Sequence, residues 1–256
     1  MKIDAFGLTD VGKKRIKNED NFLINEKLRL YVIADGMGGH SGGEFASKLA
    51  VATIEEVISG INSDPEATVI SGVNTDEADF GDRLRYAIEI ASSKIYDKAL
   101  FDSALKGMGT TTVAVLFHAG QVFIANVGDS RGYLFHANKM KQITTDHSLV
   151  SEQLQAGFIS SGEVKGHKLK NIITRSVGYQ EDVEIDIKKI EVHMGDKILL
   201  CTDGLSNMLD DEEICRIVVE NPIKTACEKL IEQGNEAGGE DNITALLMEV
   251  IDPKGD

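Results

Sequence analysis

An α+β fold with mostly antiparallel sheets is what this sequence predicts, on three observations. Short β-like runs fill both ends and the middle of the chain. Most are joined by tight polar or glycine turns. Two long helical patterns stand between the early and the middle runs.

The elements follow in order. Ile3–Leu8, Phe22–Ile24 and Leu28–Ala34 read as the early strands. Ala46, Ala50, Ile54, Val57, Ile58 and Ile61 recur at helical spacing, and the helix they predict ends near Gly60. Phe80, Leu84, Ala87, Ile88, Ala91 and Ile95 make a second stripe. The mixed polar segment between the two, roughly Asn62 to Glu77, reads as a connecting loop. The middle strands are Thr111–Phe117, Val122–Val127 and Gly132–Phe135, with His118-Ala119-Gly120 and Ala137-Asn138-Lys139 as hairpin turns. A shorter helix covers Ser148–Ala156 and stops at Gly157. The polar, weakly periodic stretch 157–171 that follows reads as a surface flap. Lys197–Cys201 and Ile243–Val250 are the last strands. Two helices lie between them: Asp210 and Glu213 make a capping-box start, and Pro222 suits a first helical position. No repeat, Ser/Pro-rich linker or low-complexity segment divides the chain, so one domain over 1–256 is expected.

With 256 residues the chain can bury a sizeable core. Its 42 acidic residues against 27 basic give a net charge of −15, which repels nucleic-acid phosphates and anionic membranes. Neither is therefore expected as a partner. An acidic protein can still handle phosphate if cations sit between the charges. No secretory leader is visible at Met1–Thr9, and no apolar run approaches the ~18 residues of a spanning helix. Cys201, Cys215 and Cys227 form no C-x-x-C pair, so a reducing, cytoplasmic setting is expected.

The stretch "VIADGMGGHSGGEFAS", residues 32–47, runs a β-like segment into Asp35 and then into a cluster of glycines. It is not a P-loop, because no Lys follows the glycines, and the dinucleotide pattern fails at Ser41. A cysteine-nucleophile phosphatase loop is excluded too, since none of the three cysteines has an Arg six residues on. Asp35 has company, however. Asp203 in "LLCTDGLS", Asp129 in "ANVGDSRGY" and Asp241 in "GGEDNITALLMEV" also sit at strand ends with glycine close by. Any one of these is an ordinary turn. Collected at one rim, such carboxylates would repel each other unless hard cations sat between them. Oxygen donors without Cys or His clusters select Mg²⁺ or Mn²⁺. Glycine beside Asp35 lets backbone approach closely, and the Gly36 carbonyl is a further candidate ligand. Arg15, four residues before Glu19 and Asp20, offers a planar fork for phosphate oxygens or, more simply, belongs to a solvated mixed-charge turn.

The ordered set "RIKNED", "ADGMGGHSGGEFAS", "GMGTTTVAVLF", "IANVGDSRGY", "TTDHS", "IITRSVG", "LLCTDGL" and "GGEDNIT" resembles the metal-dependent protein phosphatases, the type 2C serine/threonine family, in their compact bacterial form. The resemblance runs from about Asp4 to Val250. It implies a four-layer αββα sandwich: two central antiparallel sheets, each flanked by a pair of helices. It also implies a binuclear Mn²⁺/Mg²⁺ centre at one end. Asp35 would bridge two ions, the Gly36 carbonyl would bind one, and Asp203 and Asp241 would complete the other. Asp129 matches a third metal position, with Asp203 shared. Glu19, Asp20 and Asn242 would act through ordered water. A bridging hydroxide would attack phosphorus in line without a phosphoenzyme, with Arg15 on the phosphoryl oxygens. The implied partners are phosphoproteins, chiefly a serine/threonine kinase and its targets, with the enzyme as a monomer.

The chain departs from the family pattern in two places. Eukaryotic relatives carry His directly after the Asp-Gly, where this chain has Met37, which leaves His40 as the nearest candidate acid for the leaving group, with a metal-bound water as the alternative. In the flap, His167-Lys168-Leu169-Lys170-Asn171 stands where relatives tend to have His-Pro-x-Arg-Asn. Lys165, Lys168 and Lys170 there either favour acidic substrates or form a solvated charged loop. A pseudophosphatase scaffold and a phosphatase of small phosphate esters are the competing readings. Every acidic ligand position is filled, which speaks against the first.

Overall fold

The structure, a computed structural model, describes residues 1–39, 41–63, 80–164, 167, 169 and 171–253. In chain order the elements are β1 (Lys2–Asp10), β2 (Asp20–Asn25), β3 (Leu30–Met37), α1 (Gly42–Ser63), α2 (Phe80–Phe101), β4 (Gly109–Thr110), β5 (Thr112–His118), β6 (Gln121–Val127), β7 (Arg131–His136) and β8 (Lys139–Gln142). They continue with α3 (Leu149–Gln155), α4 (Ser161–Val164), β9 (Asp186–Glu191), β10 (Lys197–Cys201), α5 (Asp203–Ser206), α6 (Asp211–Glu220), α7 (Ile223–Glu236) and β11 (Ile243–Asp252).

Two antiparallel sheets form, in the orders β1-β11-β10-β7-β8 and β2-β3-β5-β6-β9, with β4 extending the end of β3. Strand alternation sorts the apolar side chains into three layers. From β3, Leu30, Val32 and Ala34 face outward against α1 and α2, while Tyr31 and Ile33 face the other sheet. On β10 and β11, Leu199, Cys201, Ala245 and Leu247 face α6 and α7, while Ile198, Leu200, Leu246 and Met248 point inward. Tyr31 and Phe117 meet edge to face in this central layer, centroids 5.6 Å apart. The helices are made for their places. On α1, Ala46, Ala50, Ile54, Ile58 and Ile61 form one buried stripe; on α6, Asp210 and Glu213 close a reciprocal capping box.

The α+β expectation holds, as do the four layers that the family resemblance implied. Several boundaries move. The turn before β3 takes Leu28, whose amide is held by Asn25 Oδ1 at 3.0 Å, and Arg29 is left-handed at φ 53°, so the strand begins at Leu30. Helix α1 passes Gly60 and runs to Ser63, and Pro222 is the N-cap of α7 rather than its first residue. Strands β8 and β9 were not expected. Both are edge strands, and "KMKQ" and "DIKKIE" are too charged to show a period of two. Residues 64–79, most of the expected connecting loop, lie outside the described residues, as do His40, Lys165, Lys168 and Lys170. Among the described residues, no helix is long and apolar enough to cross a membrane.

Candidate active site

The end of β3, the start of β2, the β6–β7 turn, the end of β10 and the start of β11 all lie at one end of the sandwich. The backbone delivers acids there from both sheets. Asp20 and Asp35 are direct cross-strand partners on β2 and β3, so their side chains share a face. Asp203 follows β10, Asp241 precedes β11, and Asp129 sits in the turn between β6 and β7. A cavity of about 1020 Å³ opens over them, lined among others by Arg15, Glu19, Asp35, Asp129, Asp203 and Asp241. Arg175 and Tyr179 line it as well. The aspartates read from sequence are therefore brought together, with Arg15 and Glu19 beside them.

Close backbone packing sets the floor. The Gly36 amide donates to the Glu19 carbonyl at 3.2 Å, and that carbonyl also accepts from Ser47 Oγ at 2.6 Å. A Cβ on Gly36 would run into the carbonyl of Gly43 at the start of α1. A Cβ on Gly43 would stand 2.7 Å from the Gly36 oxygen and 2.9 Å from the Glu19 carboxyl carbon. The two glycines thus let a strand end and a helix start meet, and bring the Gly36 carbonyl and the Glu19 carboxylate to one spot. The Asp35 backbone is clamped: its amide donates to Thr111 Oγ1 at 3.0 Å, and its carbonyl accepts from Thr110 Oγ1 and from the Thr111 amide, each at 2.8 Å.

Asp20 is the most enclosed of the acids. Its Oδ2 accepts from Thr202 Oγ1, just past β10, at 2.9 Å and from Thr244 Oγ1, on β11, at 2.6 Å. Its Oδ1 is buried without a hydrogen-bond partner, as is Asp129 Oδ1. Burial pushes the Asp20 carboxyl up to about 7, against the pull of the two threonine hydroxyls. Burial, then repulsion from Asp203 and Asp146, pushes Asp129 up to about 8. Asp35 touches the cavity, yet the protein packed around it, then Asp20, Asp203, Asp129 and Asp241, raise it well above the usual carboxylate range. Glu19 is raised by burial and held back by Arg15.

Arg15 Nη2 donates to Asp241 Oδ2 at 2.8 Å and its side chain stays half exposed. Burial alone would lower the guanidinium pKa; Asp241, then Glu19 and Asp35, outweigh that and raise it. Asn242 spends its amide on the loop that carries these residues. Its Oδ1 accepts from the Glu19 amide at 2.8 Å, and its Nδ2 donates to the carbonyls of Val11 at 3.0 Å and Lys17 at 2.9 Å.

Several supporting residues lie within the quoted motifs but show their roles only in the fold. Thr202 and Thr244 flank expected acids, and only the pairing of β10 with β11 puts both hydroxyls on Asp20. His147 accepts the Gly128 amide on Nδ1 at 3.1 Å, and its backbone joins Gly128 to Thr174. It thereby ties the Asp129 turn to the returning flap. Burial, then Arg175, keeps the His147 pKa low. Arg175 in turn pairs with Asp186 and Glu184, each at 3.0 Å.

This donor set suits hard divalent cations. It is all oxygen, it concentrates acids that repel one another, and two buried carboxylate oxygens lack donors.

Known proteins resemble this chain in sequence and in fold. Residues 12–248 match the family model for protein phosphatase 2C. The serine/threonine phosphatase Stp of Listeria innocua is 40% identical over 247 residues, covering 94% of this chain and 93% of that protein. The crystal structure of the Mycobacterium tuberculosis serine/threonine phosphatase PstP superposes with a TM-score of 0.87 at 31% identity, over 98% of this chain and 99% of that one. The catalytic domain of PstP in complex with two manganese ions gives a TM-score of 0.83 at 31% identity, over 98% and 99%. Matched along nearly its whole length in sequence and fold, the chain belongs to the protein phosphatase 2C family and is a serine/threonine protein phosphatase of the compact bacterial kind.

Proposed function

We propose that the chain hydrolyses phosphoserine and phosphothreonine in proteins with two Mn²⁺ or Mg²⁺ ions held by Asp35, the Gly36 carbonyl, Asp203 and Asp241. Asp129, with Asp203, offers a third position. The observation that carries this reading is the convergence of acids from both sheets on one cavity, with buried carboxylate oxygens left without donors. When bound, such ions offset the carboxylate charge, polarise the phosphoryl oxygens and lower the pKa of a water that attacks phosphorus.

The chain's own residues do the rest. Arg15, half exposed at the cavity mouth, presents its guanidinium to the phosphoryl oxygens, and Asp241 sets its orientation. Asp20 stays buried between Thr202 and Thr244 and fixes how far β2 stands from the opposite sheet. Thr110 and Thr111 hold the Asp35 backbone so that its carboxylate points into the cavity. Attack in line on phosphorus breaks its bond to the serine or threonine oxygen, which takes a proton from water in the cavity as it leaves, with no protein nucleophile. On this reading the substrates are phosphoproteins, including those a bacterial serine/threonine kinase produces.

The test is hydrolysis of a phosphothreonine peptide. Activity should require added Mn²⁺ or Mg²⁺ and stop with chelator. Asp35→Ala and Asp203→Ala should abolish it while circular dichroism shows a folded protein. Turnover that survives chelation, or survives loss of Asp35, would overturn the binuclear mechanism.

A further inference from the structure

Three side chains at the opposite end of the sandwich take no part in this chemistry. His136 is the last residue of β7. The turn after it, Ala137-Asn138, is left-handed at both residues, φ 49° and 61°. His193 and Asp196 lie on the connection that carries the chain from β9 in one sheet to β10 in the other. That connection is well fixed. The Asp196 amide donates to the His193 carbonyl at 3.1 Å, the Gly195 amide to the Val250 carbonyl at 2.8 Å, and the Val250 amide to the Asp196 carbonyl at 2.9 Å.

The Asp196 side chain is only 4% exposed, yet both its oxygens face imidazoles. Oδ1 lies 2.7 Å from His136 Nδ1. Oδ2 accepts the His193 amide at 2.9 Å and lies 3.6 Å from His193 Nδ1. One donor atom from each residue falls within 4.8 Å of the other two. A tetrahedral ion bound at 2.0–2.1 Å holds its ligands about 3.3 Å apart, and the two imidazole–carboxylate separations, measured to different oxygens of Asp196, are of that order. The imidazoles are 56% and 67% exposed, which leaves both rings room to turn toward one oxygen. A turn-capping role accounts for the contact of Asp196 with the His193 amide. It does not account for two imidazoles converging on the same carboxylate.

We propose that His136, Asp196 and His193 form a second metal site, for a borderline divalent ion of the Zn²⁺ class. Two imidazole nitrogens and one carboxylate favour such ions over Mg²⁺, in contrast to the oxygen donors of the cavity. His136 Nδ1 faces Asp196 Oδ1, and a bound ion needs the lone pair of that nitrogen, which leaves any ring proton to Nε2. A cavity of about 350 Å³ beside His136, Met194 and Asp196 leaves room for water to complete the coordination. The bound ion would fasten the end of β7 to the crossing between sheets, far from the acids.

The test uses the full chain in excess Mg²⁺ beside a variant that lacks the site, so that Zn²⁺ taken up by the cavity's oxygen ligands cancels. Calorimetry should show one more equivalent of Zn²⁺ in the wild type. Co²⁺ should give the intense visible absorption of a tetrahedral site, displaced by Zn²⁺, where a six-coordinate oxygen site absorbs weakly. The double substitution His136→Ala with His193→Ala should lose both signals and keep Mg²⁺-dependent phosphopeptide hydrolysis. If that variant does not fold, His193→Gln, on an exposed ring, should lose the same signals. An unchanged Zn²⁺ step in a folded variant, or a wild-type Co²⁺ complex without the absorption, overturns the site.

Discussion

Replacing Asp35 with Asn should kill the enzyme and stabilise it, provided metal is absent and the pH is high. Asp35 faces Asp20 across the β2–β3 pair, with Asp203, Asp129 and Asp241 nearby. A measure of the strain comes from Asp20. Moving its carboxyl from the ordinary 3.8 to about 7 corresponds to roughly 4 kcal/mol, at about 1.4 kcal/mol per tenfold change in proton affinity. Burial supplies the largest share and neighbouring carboxylates a smaller one. Removing one charge from the group should therefore recover roughly 1–2 kcal/mol. The sign follows from linkage. These carboxyls bind protons more tightly folded than unfolded, so their contribution to stability is complete below about pH 4 and is lost as pH rises through about 7 for Asp20 and about 8 for Asp129. At pH 5 Asp20 and Asp129 are protonated in the folded wild type, so the Asn variant relieves little. At pH 8.5 both are ionised, and Asp35, raised in the same direction by the same neighbours, adds to a repulsion that the Asn variant lacks. Urea denaturation in chelator at both pH values reads the difference. Equal midpoints at pH 8.5, or a less stable variant there, would refute the reasoning that the acids repel; added Mn²⁺ should reverse the order in favour of wild type.

Thr244→Val keeps the packing of a fully buried side chain and removes the 2.6 Å hydroxyl donor to Asp20. A loss of about 1.5–3 kcal/mol is expected in metal-loaded protein, as for a hydrogen bond to a charged group; a loss below about 0.5 kcal/mol would mean that Asp20 does not depend on this donor. Arg15→Ala should raise KM for a phosphopeptide by about tenfold or more, with a smaller fall in kcat, as expected for a residue that binds phosphoryl oxygens at the cavity mouth. An unchanged KM would remove that role.

Where a residue's neighbours along the chain determine its structure, the sequence is readable. The stripes on α1 and α2, the capping box of α6 and the inward–outward alternation of β3, β5, β6, β10 and β11 are all local patterns. Each of the expected acids sits at a strand end for the same reason, because an apolar run stops there. What escapes is set by partners distant in the chain. Strand β9 has Ile187 against one core layer and Ile190 against another, a single apolar residue on each face, too few to show an alternation, and it exists because β6 offers it an edge. Asp20 read as an acid working through water in the solvated approach to a strand. Its burial comes from Thr202 and Thr244, some 180 and 220 residues away. Asn242 likewise shows its use only when the loop from Val11 to Glu19 folds back on it.

The acids of the cavity belong to two different sheets, and between those sheets lies hydrocarbon. Asp20 and Asp35 ride on one, Asp203 and Asp241 on the other, with Tyr31, Ile33, Leu200 and Leu246 filling the gap behind them. The separation of the carboxylates is thus a thickness, fixed by how large those buried side chains are. A lineage that trims a methyl group there changes no residue that substrate could touch, yet it resets the gauge of the site. Fine adjustment of this phosphatase is written in its aliphatic filling as much as in its acids.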